Sequence, residues 1–210
     1  VAVTKNKAAL WTDSRYFLQA AGELKGTGIE MMKLRVPDAV PPAVWLAQNL
    51  LTGSKLGIDT QTVSVAEFRN LQKTLLKPGI ELVETPDLLE AVWNDRPAIP
   101  DDKAFELELQ YAGLLRAEKQ QAVARELAKK GADLQVVSML DELAWLYNLR
   151  GSDVSYNPVF TGFAVVGATE SILFVDAQKI DSALKLKLEA DGVQVKAYTD
   201  FYRFLSEING

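Results

Sequence analysis

Phe160-Thr-Gly-Phe-Ala-Val-Val-Gly-Ala-Thr-Glu-Ser-Ile-Leu-Phe-Val-Asp176 is the stretch that settles the fold class. Two apolar runs rich in valine and phenylalanine, Phe160–Gly167 and Ser171–Asp176, flank the turn Ala168–Glu170 and read as an antiparallel hairpin. Upstream, Ala117–Lys130 has the periodicity of an amphipathic helix carrying Val123 and Leu127, with a Glu126–Lys130 pair and Gly131 as its stop. Leu134–Val137 reads as a strand, and Ser138 with Asp141 as a capping box for a helix running to Leu149. Downstream, Asp181 caps a helix that ends at Asp191-Gly192, and Val193, Val195 and Ala197 alternate as a strand. Thr199 then caps a last helix with Phe201, Phe204, Leu205 and Ile208 at helical spacing. A hairpin interrupting an otherwise alternating strand–helix order argues for α/β layers on a mixed sheet.

Further upstream, Arg96-Pro-Ala-Ile-Pro-Asp-Asp102 places two prolines and two acids in seven residues. Proline disfavours both helix and central strand, so the domain boundary is expected here. The expected organisation is a first domain over 1–97, a linker over 98–106 and a second domain over 107–210. In the first domain, Val1–Val3 and Ala8–Trp11 read as short strands around the turn Thr4–Lys7. A helix over Arg15–Leu24, capped by Asp13 and Ser14, follows with Phe17, Leu18 and Ala21 on one face, stopped by Gly26 and Gly28. Ile29–Val36 is a strand, Pro41-Pro42 opens a helix through Leu51, and Lys55–Ile58 is a buried strand. Ser64 begins a helix with Val65, Phe68, Leu71 and Leu75 on one side, Gly79–Val83 is a strand, and Leu88–Trp93 a short helix. Each domain is thus expected to be a mixed sheet flanked by helices.

Composition narrows the chemistry. The 210 residues are 48% hydrophobic and 24% charged, which excludes wholesale disorder. A net charge of −5 gives no broad electrostatic footprint for nucleic acid or an anionic membrane. With no cysteine there are no disulfides or thiolate ligands, and with no histidine there is no imidazole acid, base or metal ligand. No apolar run approaches the roughly 20 residues of a membrane span, and no leader pattern or Asn-x-Ser/Thr sequon occurs, so a cytoplasmic location is expected.

Short patterns carry little. Asp101-Asp102 lacks a third acid at metal-loop spacing and reads as solvated connection. Ser182-Ala-Leu-Lys185 matches Ser-x-x-Lys without its partner motifs and reads as a solvated helix face. Gly26-Thr-Gly28 and Gly53-Ser-Lys55 complete no phosphate loop and read as helix stops and turns. Trp11, Trp45, Trp93 and Trp145 are expected in the core. No catalytic and no metal residue is assigned, and no paired acids support an independent carboxylate enzyme.

Asn148-Leu-Arg-Gly-Ser-Asp-Val-Ser-Tyr-Asn-Pro-Val-Phe160 is different. It is a long polar loop between a helix and the hairpin, bearing Arg150, Asp153, Tyr156 and Asn157. Loops on rigid elements are where binding residues concentrate. Two readings stand: Arg150 and Asp153 pair internally as scaffold, or the loop contacts a partner domain or ligand.

The same segment, with Leu140-Asp-Glu-Leu-Ala-Trp-Leu-Tyr-Asn-Leu-Arg-Gly-Ser-Asp153 and Tyr156-Asn-Pro-Val-Phe160, closely resembles the second domain of the Xaa-Pro aminopeptidases. These are the three-domain aminopeptidase P enzymes of the creatinase-like, pita-bread metallopeptidases. Ala8-Ala-Leu-Trp-Thr-Asp-Ser-Arg-Tyr-Phe-Leu-Gln-Ala20 resembles a signature of their first domain, and Trp93-Asn-Asp-Arg-Pro97 the segment closing it. The likeness runs the whole length in the right order. Ser14 departs from the family's usual Gly, Ser155 from its frequent Pro, and Ile29-Glu-Met-Met-Lys33 from its Trp-x-Leu-Met-Lys.

The resemblance implies two creatinase N-terminal-like domains, the first incomplete at Val1, and a chain that stops before a third, catalytic domain. In that domain Asp, His and Glu side chains hold two divalent ions, typically manganese, that activate water toward the bond preceding proline. It further implies that the N-terminal domains shape the active-site entrance, admit small proline-containing peptides, and take part in a homodimer. The partners implied are the catalytic domain of the same polypeptide and those peptides, with no nucleic acid and no membrane. Arg150, Tyr156 and Asn157 are the candidates for touching substrate or the catalytic domain. The alternative is a stand-alone binding or oligomerisation module of the same fold, without peptidase activity.

Overall fold

A computed structural model describes residues 1–208; the last two residues of the expected second domain lie outside them. The chain divides into two compact units, Val1–Arg96 and the remainder from Pro97. Among the described residues, no helix is long and apolar enough to cross a membrane.

In the first unit, β1 (Ala2–Val3) and β2 (Ala8–Thr12) pair antiparallel, Val3 opposite Ala8. Thr4 closes the turn by accepting from and donating to Lys7. Asp13 caps a 3-10 turn over Ser14–Tyr16 by accepting from the Arg15 N–H, and α1 (Phe17–Glu23) continues it. The face that Phe17, Leu18 and Ala21 mark is not the buried one: Ala20 is buried and Phe17 half-buried, while Leu18 is 92% exposed and Ala21 is also exposed. β3 (Ile29–Lys33) lies parallel to β2 and completes a mixed three-stranded sheet, ending before Arg35 takes a left-handed conformation.

Pro41 and Pro42 open α2 (Pro42–Asn49), which buries Trp45 and Leu46. β4 (Lys55–Ile58) and β5 (Glu81–Glu84) form a separate parallel pair, joined by α3 (Val65–Leu76). Ser64 and Glu67 form a reciprocal capping box at the start of α3. Of the expected α3 stripe Leu75 is fully buried, whereas Val65, in the first turn just after the cap, is exposed. The core gathers Ala9, Trp45, Leu46, Leu75 and Ile80, with Trp11 edge-on to Trp45 at 5.6 Å and donating to the Val40 carbonyl. Leu88–Trp93 is a set of turns rather than a helix; Asp87 spends its carboxylate on the Leu89 N–H and on Arg96, and Leu88, Leu89 and Val92 remain exposed.

In the second unit, residues expected to form a linker are engaged. The Ala104 N–H bonds the Lys179 carbonyl, and β6 (Phe105–Glu106) pairs antiparallel with β8 (Leu149–Arg150). A short α4 (Leu109–Ala112) ends at Gly113, whose positive φ turns the chain into α5 (Arg116–Lys130). Gly131 ends α5 in the left-handed conformation. Glu126 pairs with Lys129 rather than Lys130. β7 (Leu134–Val137) leads to α6 (Leu140–Leu146), capped at Met139 with no side-chain contribution, so Ser138 is still extended chain and not the expected cap. Asp141 and Glu142 nevertheless sit in the first turn, where negative charge complements the helix dipole.

β9 (Gly162–Gly167) and β10 (Ser171–Val175) form the hairpin, α7 (Ser182–Ala190) is capped by Asp181, and β11 (Val193–Ala197) lies parallel to β10. The sheet order is β11-β10-β9-β7, mixed as the sequence implies. Both faces are covered. Ala164, Val166, Leu173 and Val175 pack in the larger core, while Val165, Ile172 and Phe174 pack on the other face. There they meet Phe201 of α8 (Phe201–Glu207). Thr199 does not cap α8; it lies inside a 3-10 turn over Tyr198–Asp200 that runs straight into the helix.

Candidate functional site

The loop from Asn148 to Phe160 begins where α6 ends. α6 stops at Leu146, not at Leu149, because Asn148 adopts a left-handed conformation (φ 51°) that an α-helix cannot continue through. A helix end leaves carbonyls without intrahelical partners. Here three cations serve carbonyls of that end: Arg150 Nη1 donates to Ala144 O (3.0 Å), Lys119 Nζ to Trp145 O (2.9 Å) and Arg116 Nε to Tyr147 O (2.6 Å). Positive charge at this end also complements the helix dipole. Asn148 joins the arrangement by accepting from Lys119 at 2.5 Å and donating to Leu114 O at 2.9 Å.

Arg116 and Lys119 are buried, and each is served differently. Arg116 pairs with Glu106 at 2.5 Å and with Asp191, while Lys187 also reaches Glu106 at 2.6 Å. Lys187, and then Arg116, hold the Glu106 carboxyl below its ordinary range. Lys119 lies 4.6 Å from the Trp145 ring centre, and burial first and the nearby Arg150 second push its pKa down. These cations were legible as an anomaly: Arg116, Lys119, Val123 and Leu127 follow helical spacing, which puts two charges on the apolar stripe of α5.

The base of the loop is tightly built. A Cβ added to Gly151 would stand 2.7 Å from Phe160 Cβ and 3.0 Å from Val159 O, so only glycine fits this close approach. The expected Arg150–Asp153 pair does not form, because Arg150 is turned back onto the end of α6. Asp153 instead accepts from the Thr161 N–H at 2.6 Å and pairs with Lys179 at 2.7 Å. At the tip, Val154 and Asn157 form a bridge, with Asn157 N–H donating to Val154 O. Tyr156 between them is left-handed (φ 63°) and fully exposed. The structure thus brings Tyr156 and Asn157 together at an exposed tip and sets Arg150 apart at the base.

The remaining candidates resolve simply. Trp11 and Trp45 pack in the first core, whereas Trp93 and Trp145 are 44% and 46% exposed, against the core expectation for all four. Ser182 and Lys185 lie on the solvated side of α7, where Lys185 faces Glu189. A groove of about 570 Å³ between α5, β7 and α6 has an apolar floor of Val123, Leu127, Val137, Trp145 and Leu146, with Glu126, Lys130, Gln135 and Glu142 also on its lining. Among the described residues, no three acidic side chains come together as metal ligands. The described side chains therefore do not fit a two-metal centre.

Comparison with known proteins gives this architecture its context. Residues 1–92 and residues 95–210 each match the creatinase/prolidase N-terminal domain. The probable Xaa-Pro aminopeptidase P of Coprinopsis cinerea is 39% identical over 208 residues, 98% of this chain and 33% of that protein. Aminopeptidase P1 of Lotus japonicus is 34% identical over 198 residues, 94% of this chain and 30% of that protein. The crystal structure of X-prolyl aminopeptidase from Caenorhabditis elegans, described as a cytosolic enzyme with a di-nuclear active site, matches with a TM-score of 0.92 and 31% identity. That match covers 97% of this chain and 33% of the nematode chain. The chain thus spans about a third of the length of the curated relatives it matches. With both halves matched, the chain belongs to the creatinase/prolidase N-terminal domain family, and it carries two such domains in succession.

Proposed function

We propose that this chain is the non-catalytic N-terminal region of a metal-dependent Xaa-Pro aminopeptidase, which removes the N-terminal residue preceding proline in peptides. The observation that carries the reading is coverage: nearly the whole chain aligns with aminopeptidase P proteins while spanning a third of their length. The donor set supports the division of labour, since a chain without histidine or cysteine, and without a converged acidic cluster among its described residues, leaves the metals to other residues. The di-nuclear centre described for the nematode enzyme corresponds, in this reading, to two divalent ions, manganese by preference, held by a catalytic domain on the same polypeptide. A cytoplasmic location and a homodimer belong to the same reading, the first supported by the cytosolic description of the nematode enzyme.

The role of the two domains is to narrow the approach to the metal centre so that only short peptides with proline second enter. Walls that exclude folded chains act by sterics rather than by attraction. Arg150, Tyr156 and Asn157 are the residues assigned to contact with substrate or with the catalytic domain. Tyr156 and Asn157 are suited to this by standing exposed on a loop whose base is rigid.

The test has two arms. The 210-residue chain, supplied with manganese and a proline-second tripeptide, gives no turnover; cleavage by material free of contaminating protease refutes the reading. In an enzyme that joins this chain to a catalytic domain, Tyr156→Ala raises KM about tenfold while kcat holds, as expected for a group that binds without taking part in chemistry. Unchanged constants for Arg150→Ala, Tyr156→Ala and Asn157→Ala alike remove the loop from the substrate path.

A further inference from the structure

Lys179 was not singled out by any sequence pattern, yet it is one of the most buried charged residues of the second unit. It ends the 3-10 turn Ala177–Lys179 just after β10, and its side chain is 1% exposed. Its ammonium donates to Pro100 O at 2.5 Å and to both carboxylate oxygens of Asp153 at 2.7 Å, with Asp102 O at 3.5 Å beyond. Its own carbonyl accepts from the Ala104 N–H at 2.9 Å. The Asp153 side chain is equally buried, though its residue as a whole is half-buried, and it also accepts from the Thr161 N–H. A single residue therefore joins two stretches far apart in sequence: residues 100–104, which lead into the second unit, and residues 153–161, which form the far limb of the loop.

The energetics argue for position rather than for bulk stability. A fully buried ion pair loses so much hydration that apolar replacements of similar volume are often as stable. An unpaired partner left behind is strongly unfavourable, so the pair tolerates only the arrangement in which both charges are satisfied. Neither joined stretch has much regular structure to hold it otherwise: residues 97–104 form no element, and 151–161 hold only the bridge between Val154 and Asn157.

We propose that Lys179 is the positioning residue of the 151–158 loop. Its ammonium locks Asp153, and with it the exposed Tyr156 and Asn157, to the entry segment 100–104, so that the two segments are held or released together. The inference of coupled locking stands on the geometry alone; its consequence for substrate rests on the function proposed above.

Hydrogen exchange of the 210-residue chain tests it, following peptides from 98–106, from 151–161 and from the β9–β10 core. Lys179→Met speeds exchange about tenfold or more in both the entry segment and the loop while the core stays protected. Loosening of only one segment, or of neither, overturns the proposal. Should Lys179→Met leave a charge so poorly tolerated that the unit unfolds, the double variant Lys179→Met/Asp153→Leu decides. It removes both charges and is expected to fold with a protected core, yet with both segments exchanging about tenfold faster. Wild-type protection of either segment in that variant shows that packing alone suffices and overturns the proposal. In a complete enzyme the same double variant raises KM with kcat largely retained. Loosened segments with unchanged kinetics sink the substrate role of the loop while upholding the coupling, so the two failures are told apart.

Discussion

The two units use their strands in opposite ways. Every residue of β10 is buried, and all but Phe163 of β9, because these two central strands are covered on both faces, while the edge strands β7 and β11 are only partly buried. In the first unit β2 buries only Ala9, and β3, β4 and β5 bury no residue completely. Apart from Ala9, the buried members of its core come from helices and the segment before β5: Trp45 and Leu46 of α2, Leu75 of α3, and Ile80. Large apolar side chains such as Leu18, Leu51 and Leu76 are left exposed. Continuous apolar runs therefore mark a sheet sandwiched between layers, whereas the short mixed runs of the first unit mark strands that are only half shielded.

This contrast can be attacked by substitution. Phe174→Ala, which empties a fully buried site flanked by Phe201 and Phe204, is expected to lower stability by about 4 kcal/mol in urea unfolding. Leu75→Ala, fully buried but among partly exposed neighbours that can close over the gap, is expected to cost about 2 kcal/mol. Equal losses at the two sites would erase the distinction drawn between the cores. Ser64→Ala sharpens the view that the first unit leans on helix signals. Loss of the capping box lowers stability by about 1 kcal/mol, and Ser64→Thr restores most of it.

The smallest effect lies at the surface. The Asp13 carboxyl is drawn down to about 2, first by its hydrogen bond from the Arg15 side chain and then by the Arg15 N–H. Its folded value lies below the ordinary 3.8, so what the contact contributes is fully present above that value and is lost as pH falls through about 2. An NMR titration of the carboxyl carbon should show the low midpoint and a rise toward the ordinary value in Arg15→Gln. A normal midpoint in the unaltered chain refutes the pairing.

Much of the fold was legible because the decisive signals were local. Lys55–Ile58 and Leu134–Val137 are strands at the bounds their apolar runs set, and Ser64 and Asp181 cap the helices they precede. What failed depended on partners distant in sequence. The end of α6 follows from Asn148 turning left-handed and from cations contributed by α5, and the strand at Leu149–Arg150 exists only because Phe105–Glu106 lies beside it. The 98–106 segment reads as linker from its prolines and acids, yet its main chain is claimed by Lys179. In the candidate loop the sequence marked the polar residues, but of its two readings the internal Arg150–Asp153 pair does not form, Asp153 pairing with Lys179 instead. A lysine on a short turn after β10 carries no local sign that it will be buried.

The placement of the indoles gives the molecule an internal optical reporter. Trp11 and Trp45 stand edge to face in the interior of the first unit, while the second unit owns a single indole, Trp145, already half wetted beneath an ammonium group. Melting of the first interior therefore moves shielded chromophores into water and shifts emission to the red, whereas melting of the second changes the surroundings of one chromophore that water already reaches. Fluorescence colour follows mainly the first unit, and far-ultraviolet ellipticity follows both. Where the two curves part during heating, one unit has come undone before the other, with no label added to the chain.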